Sequence, residues 1–199
     1  MSANDPQSED AERRHEQFVD RTATRSGVAD ESARPEAASR RAGMILRPLA
    51  GGDEAELRRI HLTPEVLRWW DFPDEGFPWD EPEATRLTIE VDGAVAGLIQ
   101  FSEEPTPKYR HAAIDLFLDP ALHARGLGTE ALRRVVRHLF DDRGHHRITI
   151  DPATANVAAI RTYEKIGFKP VGVMRRCERD VGGDGWHDAL LMELLAGDE

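Results

Sequence analysis

Short apolar or alternating segments predict seven β-strands along the chain. In residues 85–91 the hydrophobic positions recur every second residue, as in a strand with one buried face. Asp92-Gly93 then favours a two-residue hairpin turn. The predicted strands cover residues 44–49, 85–91, 94–102, 114–118, 147–150, 169–180 and 186–195.

Hydrophobic spacing of three and four residues predicts four helices between these strands. Asp53 is predicted to cap the first helix, and Pro64 suits the first turn of the second. The predicted helices cover residues 54–61, 63–70, 129–140 and 156–166. The order is strand, two helices, three strands, helix, strand, helix, two strands, without an internal repeat, which predicts one α/β domain.

Residues 1–43 are rich in Ser, Ala, Arg, Glu and Asp and poor in large apolar side chains. Such a segment cannot bury enough surface to offset its ordering entropy. We therefore predict a disordered tail at 1–43 and a folded domain at 44–199.

The single cysteine, Cys177, excludes a disulfide framework. No run is long and apolar enough to span a membrane, and no signal peptide is recognisable, so a cytoplasmic location without membrane partners is expected.

The chain carries a formal net charge of −11, and most of it belongs to the predicted domain. Residues 1–43 contain 7 basic and 9 acidic residues, whereas the remainder contains 19 and 28. An acidic domain does not attract nucleic acid through its phosphates, but it steers polycationic substrates. On charge alone, ordinary solubility is the simpler explanation.

A glycine turn, His123-Ala124-Arg125-Gly126-Leu127-Gly128-Thr129, lies between the strand at 114–118 and the helix that follows. Two glycines directly before a helix expose backbone N–H groups, and the helix dipole favours an anion at the same place. The turn therefore predicts a phosphate site, although a glycine pair of this kind is also common in plain helix turns.

About thirty residues beyond the turn come Asn156 and the segment Tyr163-Glu-Lys-Ile-Gly-Phe168. Together with the turn, they resemble the GCN5-related N-acetyltransferase (GNAT) superfamily over about residues 44–195. The resemblance implies an α/β (α+β) fold with a mixed, mostly antiparallel sheet of six or seven strands. It also implies about four helices and a splay between the fourth and fifth strands. His123 departs from the usual Gln or Arg of that family.

The resemblance further implies acetyl-CoA as co-substrate and no metal. Backbone groups of the fourth strand would hold the pantetheine arm and the thioester oxygen, and the glycine turn would hold the pyrophosphate. The implied cofactor-binding residues are Leu116, Phe117, Leu118, His123, Arg125, Gly126, Leu127, Gly128, Thr129 and Asn156.

A narrower resemblance, to the aminoglycoside 6′-N-acetyltransferases, rests on Asp115, the 151–156 segment, the tyrosine helix and the Trp69-Trp70 pair. It implies transfer of acetyl to a primary amine of an amino sugar, and hence antibiotic resistance. Substrate would contact Trp70, Gln100, Asp115 and Asp151. The C-terminal segment resembles protein and peptide acetyltransferases instead, so a protein N-terminus, a polyamine or another small amine remains an alternative acceptor. A non-catalytic acyl-CoA-binding regulatory domain is a third possibility.

Two residues are predicted to carry the chemistry. Asp115 would orient the amine and accept its proton. Tyr163, with an ordinary phenol pKa of about 10, would protonate a thiolate of pKa about 8.5. Each has a structural alternative: Asp115 as a solvated strand carboxylate, Tyr163 as a tyrosine at the core edge, and Asp151 and Asn156 as helix caps. For the loop aromatics after Trp70, packing against the core is the equal alternative to ligand binding. A monomer or homodimer is expected.

Overall fold

The computed structural model describes residues 43–198, so the predicted tail lies outside the described residues apart from Gly43. The strands are β1 (Met44–Pro48), β2 (Thr85–Val91), β3 (Ala94–Glu104), β4 (His111–Leu118), β5 (Arg147–Ile150), β6 (Lys169–Arg179) and β7 (Trp186–Leu195). The α-helices are α1 (Glu54–His61), α2 (Pro64–Leu67), α3 (Leu127–Arg137) and α4 (Val157–Glu164). A 3₁₀ turn at Pro120–Leu122 precedes α3, and a π-helical turn at His138–Asp142 extends it.

All seven strands form one sheet in the order β1-β2-β3-β4-β5-β7-β6. The β4–β5 pair is parallel, and the other neighbouring pairs are antiparallel. The parallel pair is short, since only Ala112↔Ile148 and Ala113↔Thr149 are in register before the two strands diverge. The predicted fold class, the element order and the splay between the fourth and fifth strands are confirmed.

Two groups of buried apolar side chains hold the layers together. The larger packs α3 and the Tyr163–Phe168 region against the sheet, with Leu132, Leu139 and Ile148 fully buried. The smaller joins α1 and α2 to β3 and β4 through Leu57, Ile60 and Phe117. Within residues 43–198, no helix is both long and apolar enough to cross a membrane.

Gly97 allows β3 and β4 to approach each other closely near the end of β4. A Cβ at this position would lie 2.2 Å from the carbonyl oxygen of Phe117 and 2.9 Å from Cα of Leu118. Because real Cβ atoms do not tolerate such distances, only glycine fits here. The close approach at Gly97 fixes the backbone from which the site is built.

Asp53 does not cap α1 through its side chain, contrary to the sequence prediction. Its carboxylate instead accepts two hydrogen bonds from the Arg47 guanidinium, at 2.7 and 2.8 Å. It also accepts bonds from the backbone N–H of Ala50 and the hydroxyl of Thr88, each at 2.8 Å. The Arg47 hydrogen bonds, with those of Ala50 and Thr88, lower the pKa of Asp53 to about 2. The charge-assisted hydrogen bonds from Arg47 stabilise the Asp53 carboxylate more than a bond to a helix N–H would, so the carboxylate does not cap α1.

Candidate active site

The splay leaves one edge of β4 without a strand partner over residues 114–118, within the described part of the chain. On its other edge β4 pairs with β3 along its whole length, from Glu104↔His111 to Gly97↔Leu118. Backbone groups on the open edge have no ladder to join, and buried backbone groups need hydrogen-bond partners. Leu116, Phe117 and Leu118, the residues predicted to hold the pantetheine arm, thus border an open slot.

Asp115 and Asp151 face each other across the mouth of this slot. Each lies two residues beyond the last parallel pair, Ala113↔Thr149, so the period of two brings both onto the same face of the sheet. Asp115 is an exposed residue by surface area, yet many protein atoms surround its carboxyl group. Desolvation by these surrounding atoms, with the charge of Asp151, raises the pKa of Asp115 to about 7, and desolvation likewise raises the pKa of Asp151.

Tyr163, on α4, is close enough to Asp115 and Asp151 for both charges to act on its phenol. Its side chain is 8% exposed, and its ring packs 6.2 Å from that of Phe168. Burial raises the pKa of the Tyr163 phenol, and the charges of Asp115 and Asp151 raise it further. The structure therefore brings the two predicted catalytic residues near each other, and at neutral pH the phenol carries the proton that a general acid donates.

Two more carboxylates, which the sequence did not single out, contribute to the field at Asp115. They are Glu178 on β6 and Glu81 in the loop before β2, and both raise the pKa of Asp115. No spacing in the sequence signals either, because β6 and that loop reach Asp115 only through the fold. Asp115, Asp151, Glu178 and Glu81 thus bring several carboxylates to the mouth of the slot, which is called the cleft below.

Asp151, Cys177 and Glu178 place their ligand atoms within 4.8 Å of one another. Burial and the charges of Glu178 and Asp151 raise the pKa of the Cys177 thiol. A raised thiol pKa disfavours the thiolate form that nucleophilic catalysis requires. Asp151 and Glu178 therefore bring two carboxylates together beside the thiol.

The glycine turn lies where β4 ends and α3 begins. Gly126 has φ +79°, a left-handed conformation that side chains rarely adopt, and it places Leu127 at the start of α3. The first N–H groups of a helix have no intrahelical partner and point outward. At Gly128 a Cβ would lie 3.3 Å from Cδ1 of Leu118, so a small residue keeps the turn close to β4. This geometry fits an anionic pyrophosphate.

The other predicted cofactor residues flank the turn. The ring of His123 lies 3.1 Å from the Leu118 carbonyl oxygen (Nε2–O) and so links the turn to the strand. Arg125 is exposed, and Thr129 lies in the first turn of α3. Asn156 caps α4, because its Oδ1 accepts a hydrogen bond from the N–H of Ala159 at 3.2 Å. Its amide NH₂ group remains a donor for a ligand.

Replacing Gly126 by alanine is expected to weaken acetyl-CoA binding about tenfold, because a non-glycine residue at positive φ costs roughly 1–2 kcal/mol and the turn relaxes to avoid it. The matched control is Gly52→Ala, where the added Cβ has no neighbour within 4 Å and φ is not positive. Calorimetric titration with acetyl-CoA measures both affinities. An unchanged affinity in Gly126→Ala would remove the turn from the binding site.

Trp70 packs into an aromatic cluster beneath the loop 71–82. Its ring meets Phe117 edge-on at a centroid distance of 5.1 Å and His61 at 5.5 Å. Burial lowers the pKa of His61 in this cluster. The exposed rings of the loop are Phe72 and Trp79, with relative exposures of 57% and 49%. The Trp70 ring thus packs against Phe117 and His61, as the structural alternative expected. Contact between Trp70 and substrate stays a prediction.

Two arginines fasten that loop to the domain. Arg58 donates hydrogen bonds to the carbonyl oxygens of Asp74, Glu75 and Phe77, at 3.1, 3.1 and 2.9 Å. Arg86 donates to the Pro78 carbonyl oxygen at 2.8 Å and pairs with Asp80 and Glu81. The loop wall of the cleft is consequently positioned before any ligand arrives.

The sequence and the fold were compared with those of known proteins. Residues 51–168 match the family described as "Acetyltransferase (GNAT) family". The chain is 34% identical over 120 residues to the probable N-acetyltransferase YjcK of Bacillus subtilis, covering 60% of this chain and 65% of that one. It is 40% identical over 75 residues to an aminoglycoside N(6′)-acetyltransferase type 1 of Klebsiella pneumoniae, covering 37% and 36%.

Solved structures agree. The aminoglycoside acetyltransferase AAC(6′)-Ib in complex with coenzyme A aligns with a TM-score of 0.64 and 25% identity, over 78% of this chain and 96% of that one. The ribosomal L7/L12 α-N-protein acetyltransferase RimL, also with coenzyme A, aligns with a TM-score of 0.67 at 19% identity, over 78% and 96%, and shows the fold alone. The chain spans less than two thirds of the curated relatives described above. The chain belongs to the acetyltransferase (GNAT) family.

Proposed function

We propose that this protein transfers an acetyl group from acetyl-CoA to a primary amine of an aminoglycoside-type amino sugar. The observation that carries the acceptor is the set of carboxylates around one reactive position. Asp115 lies at the centre, and its neighbours in the field are Asp151, Glu178 and Glu81. Amino sugars carry several ammonium groups on a rigid ring system, and multiple carboxylates match that charge. Such an enzyme would inactivate aminoglycoside antibiotics.

The donor site is supported by the chain's own geometry. The left-handed Gly126 and the start of α3 suit a pyrophosphate, and the open edge of β4 suits an extended amide arm. Acetyl-CoA, when bound, supplies an acyl group on a thioester. One N–H of β4 would donate to the thioester oxygen as negative charge develops there.

The residues of the cleft would then move the protons. Asp115 accepts one proton from the substrate ammonium and later releases it to solvent through the open side. The neutral amine nitrogen forms a bond to the acyl carbon while the carbon–sulfur bond breaks. Tyr163 donates its phenol proton to the departing sulfur. The proton lost by the new amide nitrogen restores the phenol, so that each group returns to its starting state.

A second acceptor class shares part of this support. A protein N-terminus or a linear polyamine also presents an ammonium group, and the same acidic cleft would attract it. A linear amine, however, needs no wall that fits a ring. Loop 71–82 is held in place by Arg58 and Arg86, and its own Trp79 is exposed. Such a fixed wall favours a bulky, rigid acceptor. A purely regulatory acyl-CoA-binding domain would have no use for Tyr163 and Asp115 in this arrangement.

Acetyl-CoA consumption over a panel of acceptors tests the proposal. The panel contains aminoglycosides, spermidine-like polyamines and short peptides with free N-termini, each compared by kcat/KM. We expect aminoglycosides to exceed the peptides by at least about 100-fold, the discrimination that roughly 3 kcal/mol of extra ion pairing gives. If peptides were preferred and aminoglycosides were inert, the protein would be an acetyltransferase for protein N-termini instead. Turnover with none of the three would refute an amine acceptor of these kinds.

A further inference from the structure

Three polar side chains form a row across the sheet and end at the candidate base. Arg86 on β2 is in register with Gln100 on β3, and Gln100 is in register with Asp115 on β4. Directly opposed residues of neighbouring strands project from the same face. The row therefore connects a buried cation to the reactive carboxyl group through one amide.

Arg86 fixes which end of that amide faces which neighbour. Its side chain is 4% exposed, and its Nε donates a hydrogen bond of 2.7 Å to Oε1 of Gln100. A guanidinium has five donors and no acceptor, so the amide atom in contact with it must be the oxygen. The NH₂ group of Gln100 is then the end available to Asp115. An isolated glutamine could present either end, but this one cannot.

The groups around Asp115 make this orientation matter. Desolvation by the surrounding protein raises its pKa, as do the carboxylates of Asp151, Glu178 and Glu81, while the neighbouring Gln100 amide, in register with Asp115, lowers it. Tyr163 on α4 faces the same space as a neutral phenol. If the Gln100 amide turned over, its carbonyl oxygen would oppose the carboxylate, and the ionised form would lose that donor.

We propose that Arg86 is a positioning residue that holds the Gln100 amide with its NH₂ toward Asp115 and so favours the ionised form of that carboxyl group. The inference rests on the proposed role of Asp115 as the group that takes the amine proton. Arg86 itself touches neither the amine nor the thioester. It acts through Gln100, and the pKa of Asp115 reports its effect.

Arg86 also holds the loop through Pro78, Asp80 and Glu81, so the experiment must separate the two tasks. Asp80→Asn weakens the loop contact while the hydrogen bond from Arg86 to Gln100 is retained, and Asp80 is not among the carboxylates named as raising the pKa of Asp115. Glu81→Gln is unsuitable as a control, since Glu81 itself raises the pKa of Asp115. Arg86→Lys keeps a cation that only donates, whereas Arg86→Gln admits both amide orientations.

The direct readout is the titration of the Asp115 carboxyl carbon by NMR in the full chain, assigned by its disappearance in Asp115→Asn. Arg86→Gln is expected to raise the Asp115 pKa by about one unit, the typical effect of losing a hydrogen bond to the charged form. Arg86→Lys should restore most of that shift, and Asp80→Asn should leave the pKa unchanged. Coenzyme A affinity, measured in each variant, checks that the fold is retained.

A double-variant cycle decides whether Arg86 acts through Gln100. Gln100→Met alone should raise the Asp115 pKa, and adding Arg86→Gln to it should change nothing further. Additive shifts would mean a direct charge effect of Arg86 and would overturn the proposal, as would an unchanged pKa in Arg86→Gln. The titration needs no acceptor. An enzyme that proves indifferent to Asp115→Asn would therefore sink the proposed function while leaving this measurement able to decide the role of Arg86.

Discussion

Replacing Asp115 by asparagine is expected to lower kcat/KM for the amine by about 100- to 10,000-fold, the range attributed to a positioned general base. Asparagine keeps the size and polarity of the side chain but cannot accept the ammonium proton. The affinity for acetyl-CoA should stay within about twofold, because the glycine turn and the open edge of β4 are untouched. Steady-state kinetics and a coenzyme A titration measure the two quantities.

The pH profile sharpens this prediction. Asp115 works as the carboxylate, and its pKa is raised to about 7. The wild-type kcat/KM should therefore fall as the pH drops through about 7, whereas an ordinary aspartate would titrate near pH 4. Asp115→Asn should show low activity without this limb. Asp119→Asn is the matched control, since Asp119 follows the same strand but binds Arg59 and the Ala121 N–H instead. A limb that survives in Asp115→Asn would assign it to another group.

Tyr163→Phe is expected to lower kcat by about 100-fold, at the lower end of the effect of a general acid. Phenylalanine preserves the buried ring contact with Phe168 and removes only the hydroxyl group. The raised pKa of Tyr163 means that the phenol stays protonated across the working pH range, so the wild-type profile should show no loss of activity from its ionisation below pH 10. Acetyl-CoA affinity should change little.

The chain contains one other tyrosine, which supplies the control. Tyr109 is 62% exposed in the connection between β3 and β4. Tyr109→Phe should leave kcat unchanged, and full turnover in Tyr163→Phe would return the proton donor's role to water. A thiol-trapping assay of product release distinguishes a slow chemical step from slow release of coenzyme A.

The order of elements followed from the sequence because each element has its own hydrophobic period. Boundaries were less accurate where side chains are small. β4 begins at His111, three residues before the predicted start, and Ala112 and Ala113 carry little of the alternating signal. The second helix is a single turn, Pro64–Leu67, since the chain turns into the aromatic loop before Trp70.

The candidate site was predictable where the motif is local and unpredictable where it depends on contacts between distant segments. Gly126, Gly128 and Tyr163 belong to short motifs of neighbouring residues, so the sequence alone indicates their chemistry. Glu178 and Arg86 lie far from Asp115 in the chain, and only the sheet order brings them near. Asp53 shows the same limit, because its local pattern predicts a cap while Arg47 and Thr88 hold it elsewhere.

The central claim is that the cleft around Asp115 binds a rigid amine with several positive charges beside the acetyl donor site. Calorimetric titration of the coenzyme A-loaded protein with a kanamycin-like aminoglycoside tests it without requiring turnover. We predict a one-to-one complex with a Kd of roughly 1–100 µM at low salt, weakened several-fold at 0.5 M salt because ion pairs are screened. Absence of binding at millimolar aminoglycoside, or an affinity that salt does not change, would contradict the claim.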